Sequence, residues 1–268
     1  MGGGDANSGL RPAQEDALAA TRFRVDWVGE TGSTNDDVAA AARRGAPDGT
    51  VLVADHQTTG HGRRGRSWEA PARSSLLVSI LLRPDVAPED LHLLTTAVGV
   101  AAAEAITDEL AVPVGLKWPN DLLGITSTGD ERKLGGILAE GVWDGDRLDG
   151  VVVGLGLNVH WPHVVPVELD GIAVALNHLT DEPVDRGDLL VALLLRLEGI
   201  VQDLPGAGLQ HRWNGLTMTV DRDVRVELAD GEVVEGVARG ITETGRLLVE
   251  TDAGDVEEIT AGDVHHLR

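Results

Sequence analysis

Apolar and polar residues alternate in FRVDWVG (23–29), where Phe23, Val25 and Trp27 share one side, the period of a half-buried strand. After it the pattern changes period. Ser33 or Thr34 offers a helix cap, Asp36 and Asp37 fall in the first turn, VAAAARR follows, and Gly45 and Pro47 stop the run. TVLVA (50–54) and SLLVSILL (75–82) are short continuous apolar runs, predicted as buried strands. Pro88-Glu89-Asp90 opens a helix that carries Leu91, Leu94, Val98, Ala101 and Ala105 near one side. VGLKW (114–118), GGILAEGVW (135–143) and DGVVVGLGLN (149–158) are predicted as strands, and residues 189–204 as an apolar helix stopped by Pro205-Gly206. Strands outnumber helices, and several neighbouring strands lack a helix between them. That predicts an α+β fold with a mixed β-sheet flanked by helices, not a regular βαβ alternation.

Beyond Gly215 the strands shorten. VRVEL, EVVEGVARGI, RLLVETD and VEEIT are separated by Ala-Asp-Gly, Glu-Thr-Gly and Ala-Gly-Asp turns, the spacing of a small antiparallel barrel. The division expected is a flexible, glycine-rich lead-in over 1–21, a main domain over 22–214 and a small β-barrel domain over 215–268. No internal repeat is visible.

Composition narrows the function. The chain has 268 residues, with 44 acidic against 22 basic side chains and a formal charge of −22. Residues 217–268 hold 13 acids and five bases, which argues against an oligonucleotide-binding barrel and against DNA binding in general. Cysteine is absent, so there is no disulfide framework and no thiolate chemistry. The N-terminal stretch lacks a basic head and an apolar signal core, and no apolar run approaches the ~20 residues of a membrane span. A cytoplasmic protein without membrane association is expected. Of the 22 basic residues only Lys117 and Lys133 are lysine. Where arginine serves as the general cation, a remaining lysine marks either a place that needs a compact ammonium or a chance survival on the surface.

Against that acidity, residues 56–68 contain no carboxylate, and Arg63, Arg64 and Arg66 sit among glycines in GHGRRGRSW (60–68). GHGRRG spells G-x-G-x-x-G, but several residues separate it from the preceding strand and no helical pattern follows, so a dinucleotide fingerprint is rejected. No Walker A sequence exists. His160-x-x-His163 and His265-His266 lack partner ligands for zinc. The remaining readings are a solvated basic loop and a phosphate or carboxylate clamp, in which glycines admit the anion to backbone N–H groups and arginine forks grip its oxygens. Trp68 at the loop's end either stacks on a base or anchors the loop in the core.

Four other stretches stand beside this loop in a fixed order: GSTND (32–36), LKWPNDLL (116–123), RKLGGILAE (132–140) and VVVGLGLNVH (151–160). Each alone is explained by a helix cap, a turn or a glycine-containing strand. Together, from about residue 22 to 204, they resemble the biotin–protein ligase family in its monofunctional form. The resemblance implies a class II synthetase-like ligase core with a small C-terminal SH3-like β-barrel. It also implies a two-step reaction. Biotin and ATP, with Mg²⁺, give biotinyl-5′-AMP and pyrophosphate, and biotin then passes to a lysine of the biotin carboxyl-carrier domain of an acyl-CoA or pyruvate carboxylase.

The same resemblance implies roles for single residues. Ser33, Thr34, Asn35 and Gln57 would line the biotin site. His61, Gly62 and Arg63 would belong to the loop that closes over biotin, with Arg63 near its carboxylate and the phosphate. Arg66 would meet phosphate and Trp68 stack on adenine. Asn120 would contact the nucleotide, Asn158 its ribose or adenine side, and Lys133 both the biotin carboxylate and the α-phosphate. Gly136 and Gly156 would let the strand backbone crowd the ligand. Asp121 is a candidate for holding Mg²⁺ through water and for assisting the incoming lysine. The chain departs from the family at His61, where arginine is usual. Histidine carries full charge only at low pH, so this loop is expected to bind more loosely or in a pH-dependent way. About 21 residues precede the first strand, too few for the DNA-binding domain of some relatives, so an enzyme without repressor function is expected. Two rivals are a lipoate- or octanoate-transferring relative, disfavoured by the GHGRRGRSW loop, and a non-catalytic biotin sensor, disfavoured by Arg63, Arg66 and Lys133.

Overall fold

The apolar runs of the first 158 residues pair into one seven-stranded mixed sheet. The structure is a computed structural model that describes residues 9–267 apart from 85, 163, 164, 166, 205 and 229. The strands are β1 (Arg24–Val28), β2 (Thr50–Ala54), β3 (Ser75–Leu82), β4 (Val114–Lys117), β5 (Asp121–Ile125), β6 (Glu131–Asp144) and β7 (Arg147–Asn158), in the spatial order β1-β2-β3-β7-β6-β5-β4. β1 and β2 run parallel, and every other neighbouring pair is antiparallel. Five helices are described: α1 (Pro12–Leu18), α2 (Thr34–Arg43), α3 (His92–Leu110), α4 (Arg186–Gln202) and α5 (Ala207–Leu216).

The two-residue period of β7 decides where the chemistry can sit. Val151, Val153, Leu155 and Leu157 join the main core under α3 and α4. Their neighbours Val152, Gly154, Gly156 and Asn158 point to the opposite side, where Val152 packs with Val38 and Ala42 of α2. β3 is divided in the same way. Leu76, Val78, Ile80 and Leu82 face the core, while Ser79 reaches Asn35 of α2. One side of the sheet therefore carries aliphatic burial, at roughly 1.5–3 kcal/mol per fully buried Leu or Val. The other carries small and polar residues under α2. α3 shows no single apolar stripe, because thirteen of its nineteen residues are buried against sheet, α4 and α5.

A second sheet follows: β8 (Asp223–Glu227), β9 (Val233–Ile241), β10 (Leu247–Glu250), β11 (Val256–Ile259) and β12 (Asp263–His266), antiparallel in the order β11-β10-β9-β8-β12. This antiparallel sheet agrees with the small SH3-like β-unit expected. Its interior, including Val224, Val226, Leu247 and Val264, belongs to the same contiguous apolar cluster as the first sheet. The junction is pinned by the Met218 N–H donating to Leu116 O at 2.8 Å and the Trp118 indole donating to Gly245 O at 3.1 Å. The Trp118–Pro119 peptide is cis.

Several local readings change. Residues 12–18, expected within a loose lead-in, form α1, because Arg11 bonds Asp185 at 2.9 Å and Asp188 at 2.6 Å while Leu18 is buried. The Gln14 amide and then the Arg11 guanidinium, both bonded to Asp188, hold its carboxyl below the usual range against the opposing effect of burial. The Pro-Asn-Asp turn leads directly into β5, and a further helix, α5, begins just after Gly206. Asp263 begins β12 and is no longer part of a turn. Residues 1–8 of the lead-in, His163, Pro205 and Ala229 of the Ala-Asp-Gly turn lie outside the described residues.

Candidate active site

One cavity of about 670 Å³ opens on the glycine side of the sheet, between α2, the 60–68 loop, the 168–173 segment and β12. Every residue singled out for a site in the sequence lines it. The wall divides into a neutral end and a charged end.

The neutral end grows from the start of α2. Ser33 is extended and caps the helix by accepting from the Asp36 N–H at 3.4 Å. That turns the next two side chains inward. The Thr34 N–H and hydroxyl both donate to Gln57 Oε1, at 2.7 and 2.9 Å. Asn35 Oδ1 lies 2.6 Å from Ser79 Oγ, and Asn35 Nδ2 donates to Glu140 Oε2 at 2.6 Å. Gly154 makes this possible: a Cβ there would stand 2.2 Å from Asn35 Oδ1. Ser33, Thr34 and Asn35 are all buried. The result is a fixed polar lining without a formal charge on the groups that face the cavity.

The arginine loop is a tight hairpin. The Gly62 N–H donates to Arg66 O at 2.7 Å, the Trp68 N–H to Gly60 O at 2.9 Å, and Arg64 turns the chain in the left-handed region at φ 55. Gly60 is required, since a Cβ would meet Trp68 O at 2.6 Å. Trp68 lays its indole on β6 and β7, in the space that Gly136 and Gly156 leave; a Cβ on Gly156 would come within 2.4 Å of the ring. Those two glycines, expected to admit ligand, here seat a tryptophan. The Lys133 ammonium stands 5.9 Å from the centre of the same indole. His61 Nε2 is 3.6 Å from Glu140 Oε2, which links the loop to the Asn35 network.

At the charged end Lys133 of β6 bonds Asp121 of β5, Nζ to Oδ1 at 2.7 Å. Asn120 donates to Ile137 O at 2.8 Å and accepts from Arg63 at 3.1 Å. The Asn158 amide is committed within the fold, donating to Val174 O at 3.1 Å. The three loop arginines turn toward one carboxylate, Asp263 of β12: Arg64 at 2.8 Å, Arg66 at 3.5 Å and Arg63 at 3.7 Å. Burial lowers the Arg63 guanidinium from its usual range, and Asp263 opposes the shift. Burial and the neighbouring Lys133 push the Lys117 ammonium down, against the pull of Asp121.

Asp263, Trp161, Leu169 and Ile172 are among the cavity residues that carried no sequence motif. Asp263 sits about 200 residues from the arginines it binds, in a strand too short to announce itself. Trp161, Leu169 and Ile172 form an apolar lip beyond Asn158, and the Ile172 side chain is exposed. Trp68 Nε1 and Trp161 Nε1 are buried donors without a partner among the described residues. Unpaired donors in the wall of a cavity fit a ligand that supplies acceptors.

Among the described residues no group of three His, Cys, Asp or Glu side chains could hold an ion, and Asp121 already holds Lys133. Among the described residues, no helix is long and apolar enough to cross a membrane.

Residues 31–158 match the model of the biotin/lipoate A/B protein ligase family, and residues 219–267 match the biotin protein ligase C-terminal domain. The biotin–[acetyl-CoA-carboxylase] ligase of Mycobacterium tuberculosis is 39% identical over 252 residues, 91% of this chain and 90% of that one. The bifunctional ligase/repressor BirA of Bacillus subtilis is 32% identical over 87% of this chain and 70% of its own length. In three dimensions the chain is similar to the biotin protein ligase from Aquifex aeolicus solved in complex with biotin and ATP. The TM-score is 0.76 at 27% identity, over 91% of this chain and 99% of that one. Those matches span the sheet that carries the neutral end, the loop that carries the arginines and the strand that carries Asp263; the chain belongs to the biotin–protein ligase family.

Proposed function

We propose that the chain is an ATP-dependent biotin–protein ligase that adenylates biotin and then biotinylates a lysine of a carboxylase carrier domain. The observation that carries this is the division of one cavity into a fixed neutral end and a cationic end. An uncharged ureido ring and a carboxylate joined to a nucleotide need those two environments side by side.

In the first step an oxygen of the biotin carboxylate attacks the α-phosphorus, and the bond from that phosphorus to the bridging oxygen breaks. The electron pair leaves on pyrophosphate. Two anions must approach, so fixed cations at the reacting centre matter more than any proton transfer. Thr34, Asn35 and Gln57 hold the ureido ring by hydrogen bonds, with Ser33 and Gly62 shaping the wall around it. Lys133 bridges the carboxylate and the α-phosphate and exchanges its bond to Asp121 for the ligand. Arg63 and Arg66 leave Asp263 for phosphate oxygens, and His61 closes the loop over biotin. Trp68 offers its indole face to the adenine, and Asn120 binds the nucleotide. Asn158 acts through the 174 backbone that it holds, which positions the apolar lip beside the adenine. Mg²⁺ accompanying ATP would offset phosphate charge, and Asp121 is the residue that would hold it through water once Lys133 has turned to the ligand.

In the second step the carrier lysine attacks the acyl carbon, and AMP departs on its phosphate oxygen. Until then the loop shields the anhydride from water. Once Lys133 has turned to the ligand, the Asp121 carboxylate is free to take the ammonium proton. A cytoplasmic location fits a chain without cysteine, and the charge of −22 opposes general nucleic-acid binding.

Biotin-dependent pyrophosphate–ATP exchange, run in parallel with lipoate and octanoate, tests this reading. Exchange with biotin alone is expected. Exchange with lipoate alone overturns the substrate assignment.

A further inference from the structure

The neutral end is short of hydrogens. Its side chains touch in sequence from Gln57 through Thr34, Ser79 and Asn35 to Glu140 of β6. Both ends of this series are fixed in sense. The Thr34 backbone N–H only donates, so Gln57 presents Oε1 to it at 2.7 Å. The Glu140 carboxylate only accepts, so Asn35 presents Nδ2 to it at 2.6 Å, with Leu138 O at 3.5 Å on the same side. Asn35 Oδ1 is thereby turned to Ser79. Three oxygen–oxygen contacts lie between the ends: Gln57 Oε1 to Thr34 Oγ1 at 2.9 Å, Thr34 Oγ1 to Ser79 Oγ at 2.7 Å, and Ser79 Oγ to Asn35 Oδ1 at 2.6 Å. The two hydroxyls bring one hydrogen each, so one contact always lacks a donor.

Turning the Asn35 amide over would end the shortage. Ser79 would then accept an N–H and donate to Thr34, and Thr34 would donate to Gln57. Glu140 opposes that turn, because it would set Asn35 Oδ1 against a carboxylate oxygen at the same short distance. The carboxylate thus keeps the network with one acceptor in excess. Ser79 is fully buried, while Thr34 and Gln57 line the cavity, so the spare acceptor is offered to whatever enters. Glu140 does not line the cavity, and it acts there only through Asn35. His61 of the loop stands 3.6 Å from the same carboxylate oxygen, so the closed loop packs against the group that sets this sense.

We propose that Glu140 is a positioning residue that fixes the donor and acceptor sense of the neutral end, so that the site selects a ligand ring by its N–H groups. The inference rests on the ligase reading. A ureido ring supplies the missing hydrogen; a ring of the same shape with oxygen in place of N–H adds a further acceptor to a wall that already has one too many.

The test titrates the full chain calorimetrically with biotin and with the two cyclic carbamates in which a ring oxygen replaces one ureido N–H. The wild type binds at least one carbamate about 10²-fold more weakly than biotin. The amide of Glu140→Gln can meet Asn35 in either sense. There biotin affinity falls about tenfold while that carbamate's hardly changes, so the preference shrinks about tenfold, and the KM for ATP stays within about twofold. Ser79→Ala cuts the series between Thr34 and Asn35, so adding Glu140→Gln to it leaves the preference where Ser79→Ala alone put it. A merely structural Glu140 would weaken biotin and carbamate alike. An unchanged preference in Glu140→Gln overturns the inference, as does an equal shrinkage with and without Ser79, or a wild type that binds biotin and both carbamates equally. A wild-type chain that binds biotin but shows no biotin-dependent exchange would instead sink the ligase reading itself.

Discussion

The neutral and charged ends of the cavity are built by opposite rules. At the neutral end each polar group already has its partner, and the partners are fixed by the core: Ser79 is held in β3, Gly154 clears space for Asn35, and Gln57 answers Thr34. At the charged end the partners are other ionised side chains. Lys133 holds Asp121, and the loop arginines hold Asp263. Such contacts can be exchanged for phosphate oxygens at little net change in charge pairing. The first end recognises a shape, and the second has to trade one set of anions for another during turnover.

Lys133→Ala tests the distinction most severely. It lowers the adenylation rate by about 10³-fold while the biotin Kd shifts by no more than a few-fold, measured by single-turnover exchange and calorimetry. Equal losses would place Lys133 in ground-state binding and dissolve the boundary between the ends. Gln57→Leu acts on the other side. It strips the buried Thr34 groups of their acceptor, so biotin affinity falls ~10–100-fold with the KM for ATP nearly unchanged. A matching rise in that KM would mean that the ends are one coupled unit.

Arginine substitutions discriminate within the charged end. Arg63→Ala accelerates escape of the adenylate by about tenfold, read from retention on a desalting column. Arg66→Ala has a smaller effect, because its side chain is 75% exposed against 27% for Arg63. Retention equal to the parent in both variants removes the cover from the mechanism. Asp263→Ala asks whether this carboxylate competes with phosphate. Apparent ATP affinity rises by about two- to fivefold and trypsin cleaves the loop faster. A tenfold loss of ATP affinity would show instead that Asp263 positions the arginines.

The smallest effect concerns pH. Burial, Lys117 and Arg222 depress His266 to about 4, with Glu131 opposing. The unfolded chain keeps the ordinary value near 6.5, so between these limits it binds the extra proton. The contribution to stability is complete above pH 6.5 and is lost as the pH falls toward 4. His266→Asn flattens that part of a melting-temperature profile by a few degrees. A profile unaffected by the substitution would place the titration elsewhere, His92 and His160 being the other histidines that burial lowers.

Which parts were legible in the sequence follows from the same contrast. β2 and β3 coincide with their apolar runs, because β3 is buried on both faces and β2 is buried on one and partly covered on the other, so each reads as an apolar run by itself. The loop and the β6 and β7 glycines were visible as motifs, and the structure gathers them round one cavity. β5, α1 and α5 were not: DLLGI is too short to show a period, and α1 depends on Arg11 meeting Asp185 and Asp188 across 174 and 177 positions. Asp263 was hidden for a related reason. An ion pair between segments at opposite ends of the chain leaves no local trace, and the turn-like Ala-Gly-Asp spelling pointed the other way. The glycines at 136 and 156 were found, but the object they seat here, the Trp68 indole, follows only from the fold.

Lysine is nearly absent from this chain, and both copies border the same cavity. A catalyst that manufactures an amine-seeking acylating agent thereby offers that agent almost no side chains of its own to label. Molecules of mixed anhydride that escape into solution meet carboxylates and guanidinium groups, which do not form stable amides. Self-modification is limited by composition, and an amine-directed tag applied to the purified protein has, besides the chain's terminal amine, only the two lysines of the reaction chamber to label.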